Sequence, residues 1–400
     1  GATTEEARAA ALDALRARQT RHTPTARTTQ GPSGDDRALF VQRAAEVLRA
    51  GGLVVLPTET VYGLFACASS RRSVDRLREL APADNESPWS AAWHAASASA
   101  LLAKLPEASE MHRWLIDRLS PGPVAFVLPA EHPDAGRLAE LLSADAGSDI
   151  TLRVPSDATA LEVLEQVGEP VIGIRLAAAA VGDGASVGPA LDDHELLTDA
   201  SPSAADLGAQ VLLDAGPTRH RDPSTVLRLL SGSPGYEIVR EGVYSAESIQ
   251  RRLPRRILFV CTGNTCRSPL AQAIARELVE SSPIPTVIES AGVAAANGAP
   301  ATDDAINAGG DLGLDLTGHR AQQVDRALLR SADAIFTMTT SHADALYALD
   351  PDLDPDILID TLDPDGQDVP DPIGQGLEVY RATADRLRSL IASRLQELTP

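Results

Sequence analysis

One stretch limits what this chain can fold into more than any other: Arg256-Ile257-Leu258-Phe259-Val260-Cys261-Thr262-Gly263-Asn264-Thr265-Cys266-Arg267-Ser268-Pro269-Leu270-Ala271. The apolar run Ile257–Val260 reads as a buried strand. Cys261 follows it directly, and Arg267 and Ser268 open an apolar-periodic run (Leu270, Ala271, Ile274, Ala275, Leu278) that reads as a helix. The order strand, loop, helix N-terminus suits phosphate chemistry. Backbone N–H groups of a short loop running into a helix cradle an anion, and the helix dipole adds positive potential. The loop residues Thr262, Gly263, Asn264, Thr265, Cys266, Arg267 and Ser268 are the candidate phosphate-binding set. The planar fork of Arg267 can hold two phosphate oxygens. The same positive field favours Cys261 as the thiolate, the nucleophilic form, with Ser268 able to donate to the sulfur.

Phosphoryl transfer to Cys261 needs an acid for the leaving group. Asp368-Val369-Pro370-Asp371-Pro372-Ile373-Gly374 precedes the last helical run, and proline stiffens that loop. Asp371 is the candidate acid, which then activates water against the phosphocysteine.

With these residues in place, 256–400 resembles the low-molecular-weight protein phosphatase family. The resemblance rests on Cys-x5-Arg-Ser at the first strand, Ser290-Ala291-Gly292, the run Ala332–Thr339 and the late Asp371-Pro372, in the family's order. It implies a metal-independent cysteine phosphatase without a cofactor, acting on phosphorylated proteins. Thr265 stands where members acting on phosphotyrosine carry a bulky aliphatic residue, and Thr262-Gly263-Asn264-Thr265 resembles the bacterial protein-arginine phosphatase branch. On that loop phosphoarginine is expected ahead of phosphotyrosine, with both open; the branch has an aromatic residue where Ile373 stands, so the wall for a guanidinium is weaker here. The resemblance implies that Cys266 lies close to Cys261 and can form a reversible disulfide; a small apolar loop filler is the equal alternative. Ser290 is expected to brace Asn264, and His319 and His342 to be structural.

Ahead of this domain, residues 1 to 36 read as an arm, with a short helix expected over 5–18. The globular pattern begins at Arg37. Leu39, Val41, Ala44, Ala45 and Leu48 mark a helix stopped by Gly51-Gly52. The strand Leu53–Leu56 and the string Pro57-Thr58-Glu59-Thr60-Val61-Tyr62-Gly63-Leu64 follow. Residues 37–253 resemble the threonylcarbamoyl-AMP synthase (YrdC-like) family through that string, Pro121-Gly122-Pro123, Leu152-Arg153-Val154-Pro155, Pro223-Ser224-Thr225-Val226 and Val239-Arg240-Glu241-Gly242. Active members use ATP, threonine and bicarbonate. Thr58, Tyr62, Arg153 and Ser224 are the ligand candidates, with ordinary loop and strand roles as the alternative.

Three departures from that family stand out. Its Lys-x-Arg segment is replaced by Leu80-Ala81-Pro82-Ala83-Asp84-Asn85-Glu86-Ser87-Pro88, where acids would repel a polyphosphate. Ala125 replaces the threonine of Pro-Gly-Pro-x-Thr, and the run from Ile172 to Gly182 lacks the Ser-Ala-Asn string. The expectation is a kept scaffold with the synthase reaction lost, so that ATP and Mg would matter only if the domain is still active. Residues 182–202 read as an acidic surface excursion and 253–256 as the whole linker.

Composition sets the outer bounds. A net charge of −21 argues against direct nucleic-acid binding, and the acidity reads as a solubility device. Lys104 is the only lysine, so the basic groups are almost all arginine. Three cysteines, one an expected thiolate, point to a reducing compartment, and no stretch reads as a membrane span. The expected whole is a cytoplasmic α/β protein of two domains: a YrdC-like twisted α/β sheet, then a small parallel-sheet phosphatase domain over 256–400. Its rivals are a bifunctional enzyme and a non-catalytic scaffold. The oligomeric state is left open.

Overall fold

The computed structural model describes residues 26–28, 34–81, 91–176, 208–213, 218–220, 222–355 and 357–398. The chain divides into two compact units, residues 1–249 and 250–400. The expected helix over 5–18, the segment 82–88, the stretch after Leu176 and the excursion 182–202 lie outside the described residues.

The first unit is built on a ten-stranded mixed sheet. Its strands are β1 (Ala26–Thr28), β2 (Leu53–Leu56), β3 (Gly63–Cys67), β4 (Ala91–His94), β5 (Val124–Leu128), β6 (Ile150–Arg153), β7 (Val171–Arg175), β8 (Ala209–Leu213), β9 (Thr225–Leu229) and β10 (Tyr236–Arg240). They lie in the order β1-β8-β2-β3-β7-β4-β6-β5-β9-β10. The expected strand Leu53–Leu56 is β2, buried throughout because the sheet's centre is covered. The helix before it runs Gly34–Arg49 and buries Phe40, Val41, Ala44, Ala45 and Leu48. Leu39, counted in the apolar periodicity, is instead 67% exposed: the buried stripe passes through its neighbour Phe40.

A tight hydroxyl knot closes this sheet's far end. Thr225 is fully buried; its Oγ1 accepts from the amides of Gly242 (3.2 Å) and Tyr244 (2.9 Å) and donates to the Tyr244 carbonyl (2.8 Å). The turn is so close that a Cβ on Gly242 would lie 2.1 Å from the Pro223 oxygen.

The second unit is a four-stranded, all-parallel sheet in the order β12-β11-β13-β14. The strands are β11 (Arg255–Cys261), β12 (Thr286–Gly292), β13 (Ala334–Thr337) and β14 (Leu358–Thr361). Strand alternation sends Ile257, Phe259 and Cys261 into one core, with Leu270, Ile274, Tyr380, Leu387 and Ile391. It sends Leu258 and Val260 into the other, with Ile335, Leu329 and Leu346. Both faces are covered, as the apolar run implied. β11 is longer than its apolar part: Arg255 and Arg256 pair with Thr286 and Val287, so residues 255–256 are strand, not linker. The backbone ladder accepts them whatever their hydropathy, and Asp333 Oδ2 takes the Arg256 amide at 2.8 Å. Two helices unmarked in the sequence reading also appear, Arg326–Ser331 and Thr340–Leu349, each started by a side-chain cap, Asp325 and Thr339.

All three tryptophans precede residue 249, and Trp93 and Trp114 are buried in the first unit, so their fluorescence follows its unfolding. Thr225→Val keeps the shape and strands two part-buried amides; urea unfolding read by tryptophan is expected to show a loss of about 1–3 kcal/mol. An unchanged midpoint would mean that the knot adds nothing.

Candidate active site

The loop between β11 and the helix Arg267–Leu278 is shaped by one residue. Asn264 is fully buried and has a positive φ of 54°, a left-handed backbone that asparagine tolerates better than most residues. Its amide donates to Cys261 Sγ at 3.3 Å. Its Nδ2 donates to Ser268 Oγ and to Ser290 Oγ, both at 2.9 Å, and its Oδ1 takes the Gln322 amide at 2.9 Å. His319 Nε2 lies 2.7 Å from its carbonyl oxygen, and burial holds the His319 imidazole below its usual pKa, which fits a neutral ring donating there. The expected brace from Ser290 is therefore present, with Ser290 itself donating to Gln272 Oε1 at 2.7 Å.

β12 ends under this loop. The Val293 and Ala294 amides hold the carbonyls of Cys261 and Thr262 at 3.0 and 2.9 Å. A Cβ on Gly292 would sit 2.5 Å from the Thr262 oxygen and 2.9 Å from the Asn264 amide, so only glycine lets the loop lie this close.

Cys261 Sγ ends 2.9 Å from Ser268 Oγ, buried at the strand's C-terminal end. The Asn264 amide and the Ser268 hydroxyl flank the sulfur beside the start of the helix Arg267–Leu278. Arg267, 4% exposed, donates from Nη1 to the Val369 carbonyl at 3.0 Å and pairs through Nη2 with Asp371 Oδ2. Its Nε is buried with no partner, an unmet donor within the loop. Asp371 is tied in turn by the Ile373 amide at 3.2 Å, and its carboxyl is 40% exposed, open to a substrate. Thus Cys261, Arg267 and Asp371, more than a hundred residues apart at the extremes, meet at one place.

Thr265 lies at the loop's outer turn, with its carbonyl taking the Thr302 amide at 2.9 Å. Cys266 carries a free thiol whose Sγ lies 3.1 Å from the Tyr380 hydroxyl. Thr302 Oγ1 donates to that same hydroxyl at 3.1 Å, and burial pushes the Tyr380 phenol well up. Neither Tyr380 nor Thr302 stood out in the sequence, because both come from distant helices. Ile373 is 60% exposed beside the acid. His342, expected to be structural, touches the loop directly: its Nε2 is 2.9 Å from Thr262 Oγ1.

In the first unit, Thr58, Tyr62, Arg153 and Ser224 line one open cleft, together with Arg175 and Arg228. The sequence reading missed those last two arginines. Arg153 Nη2 donates to Glu59 Oε1 (2.8 Å) and Thr60 Oγ1 (2.7 Å), while its Nε is buried without a partner. Burial, then the charge of Arg153, lowers the pKa of His94 in the same cleft to about 3. Thr58 Oγ1 is spent within its own turn, accepting from the Thr60 and Val61 amides. Ala125, in place of the family's threonine, also lines the cleft.

Comparison with known proteins matches the two units separately. Residues 256–399 match the family model described as low molecular weight phosphotyrosine protein phosphatase, and residues 46–242 match the Sua5/YciO/YrdC model described as telomere recombination. A protein-arginine-phosphatase of Geobacillus stearothermophilus is 38% identical over 36% of this chain and 96% of its own length. The low molecular weight protein-tyrosine-phosphatase Wzb of Escherichia coli K12 is 33% identical over 32% of this chain and 83% of its own. A putative threonylcarbamoyl-AMP synthase of Mycobacterium tuberculosis is 27% identical over 54% of this chain and 89% of its own. With the thiol, arginine and carboxylate assembled on one parallel sheet, the chain belongs through residues 256–399 to the low molecular weight protein phosphatase family, an enzyme family here fused behind a YrdC-like domain.

Proposed function

We propose that the second unit hydrolyses phosphoarginine in proteins through a phosphocysteine intermediate. The observation that carries this reading is Cys261 Sγ held by Ser268 and Asn264 while Arg267, with an unmet buried Nε, links the loop to Asp371. The Cys261 thiolate attacks phosphorus and the P–N bond breaks; Asp371 gives its proton to the departing guanidine nitrogen. The Asp371 carboxylate then takes a proton from water. That water oxygen bonds to phosphorus, the S–P bond breaks, and inorganic phosphate leaves with the thiolate restored. Arg267 and the loop amides carry the negative charge of the transferring group, so the chemistry needs no metal or cofactor. Thr265 supports the arginine preference, as does the name of the Geobacillus relative. Phosphotyrosine is the second reading, favoured by the Wzb relative; the aliphatic Ile373 gives neither group an aromatic wall. A thiol nucleophile works only while reduced, which supports a cytoplasmic enzyme.

For the first unit, we infer a ligand-binding cleft that no longer runs the synthase reaction. Ala125 in the cleft, the acidic Asp84 and Glu86, and the absent Ser-Ala-Asn string support this. The arginine lining supports an anionic ligand.

Cys261→Ser is expected to abolish turnover, and Asp371→Asn to slow substrates with poor leaving groups most. Equal slowing on good and poor leaving groups would remove Asp371 from the acid role. Wild type should show the higher kcat/KM on phosphoarginine peptides, and Thr265→Ile should swing preference toward phosphotyrosine. A wild type that prefers phosphotyrosine makes Thr265 an ordinary loop residue. Incubation with ATP, Mg, threonine and bicarbonate should release no pyrophosphate; release would establish the bifunctional enzyme instead.

A further inference from the structure

The helix Thr340–Leu349 holds a histidine that the mechanism above does not use. His342 is 5% exposed and bridges two hydroxyls: Nε2 lies 2.9 Å from Thr262 Oγ1 and Nδ1 lies 2.8 Å from Thr339 Oγ1. The network assigns the tautomer. Thr339 caps the helix, and its Oγ1 accepts the His342 amide at 3.3 Å; with Ser341 Oγ, 2.9 Å away, donating to the same oxygen, the Thr339 hydrogen is left for Nδ1. Nε2 therefore carries the ring proton and donates to Thr262. Burial, then the nearby charge of Arg267, holds the imidazole below its usual pKa and fits the neutral ring.

Thr262 Oγ1 also takes a long contact of 3.5 Å from Arg267 Nη2. With both neighbours donating, that oxygen is an acceptor twice over, and its own hydrogen is free for an acceptor in the loop. The same helix start holds the acid loop. The Thr340 amide donates to Asp368 Oδ1 at 3.0 Å, the Val369 amide to the Met338 carbonyl at 2.8 Å, and Arg267 Nη1 to the Val369 carbonyl at 3.0 Å. Thr262, His342, Thr339, Asp368 and Arg267 thus form a ring that ties the nucleophile's loop to the acid's.

We propose that His342 is a positioning residue for phosphoryl transfer, which turns the Thr262 hydroxyl so that its hydrogen meets a phosphoryl oxygen in the cradle. This rests on the cysteine-phosphatase reading but not on the choice between arginine and tyrosine. A hydrogen bond to an anionic oxygen strengthens as charge builds on the transferring group, so its loss falls on kcat more than on KM.

The test uses the full chain and p-nitrophenyl phosphate. In His342→Gln the side-chain amide nitrogen reaches the place of Nε2 and keeps the donor to Thr262. In His342→Asn the side chain reaches only the place of Nδ1, where its Oδ1 can take the Thr339 hydrogen, and the donor to Thr262 is lost. His342→Asn is expected to lower kcat roughly 10- to 100-fold, as loss of a hydrogen bond to a charged group does, with KM nearly unchanged. His342→Gln should recover most of it. In a Thr262→Val background the difference between the two should shrink to about twofold or less, since the two residues act through one contact. Equal kcat values for the Asn and Gln variants, or losses that multiply with Thr262→Val, overturn the proposal. Absence of turnover in the wild type would instead sink the phosphatase reading itself.

Discussion

The buried, left-handed Asn264 is the constraint on which the second unit's chemistry depends. A non-glycine residue in that backbone region costs free energy and persists only where its surroundings over-determine it. Here its amide, both ends of its side chain and its carbonyl are engaged, by Cys261, Ser268, Ser290, Gln322 and His319. Those partners come from the loop itself, from β12 and from the segment after it. The loop's curvature is therefore a property of the whole sheet, and the same bonds that bend it deliver an amide to the nucleophilic sulfur.

Electrostatics build on that shape. Arg267 opens its helix and is held on two sides, by the Val369 carbonyl and by Asp371. The cation proposed to receive the phosphoryl group and the carboxyl proposed to serve the leaving group are thereby held together. Cys266, one residue before Arg267, faces the other way, toward Tyr380 and Thr302 in the apolar core, and its thiol is free. Adjacent positions at the helix start serve chemistry and packing in turn because helical geometry sends them to different faces.

Much of the second unit was legible. The run Ile257–Val260 is uniformly apolar because both faces of a parallel strand are buried, and the cysteine, arginine and Asp-Pro signals are local. The brace from Ser290 to Asn264 was also readable. What escaped was whatever depends on backbone pairing or on caps: Arg255 and Arg256 join β11 through the ladder, and Thr339 starts a helix that no apolar period announces. In the first unit, Leu39 fits an apolar period yet faces outward, because the neighbouring Phe40 fills the groove.

By itself the sequence determined the two-domain α/β plan and singled out Cys261, Arg267 and Asp371 as the candidate nucleophile, cation and acid, since each rests on residue type and short spacing. Only the tertiary structure decided that Thr58, Tyr62, Arg153 and Ser224 share one cleft with Arg175 and Arg228, for these residues sit on separate strands and turns brought together by the order of the sheet. Only it decided, too, that His342 reaches Thr262 across 80 residues. The hydrogen bond that joins them is short-ranged in space, and no local pattern in the chain encodes which distant hydroxyl a buried imidazole will meet.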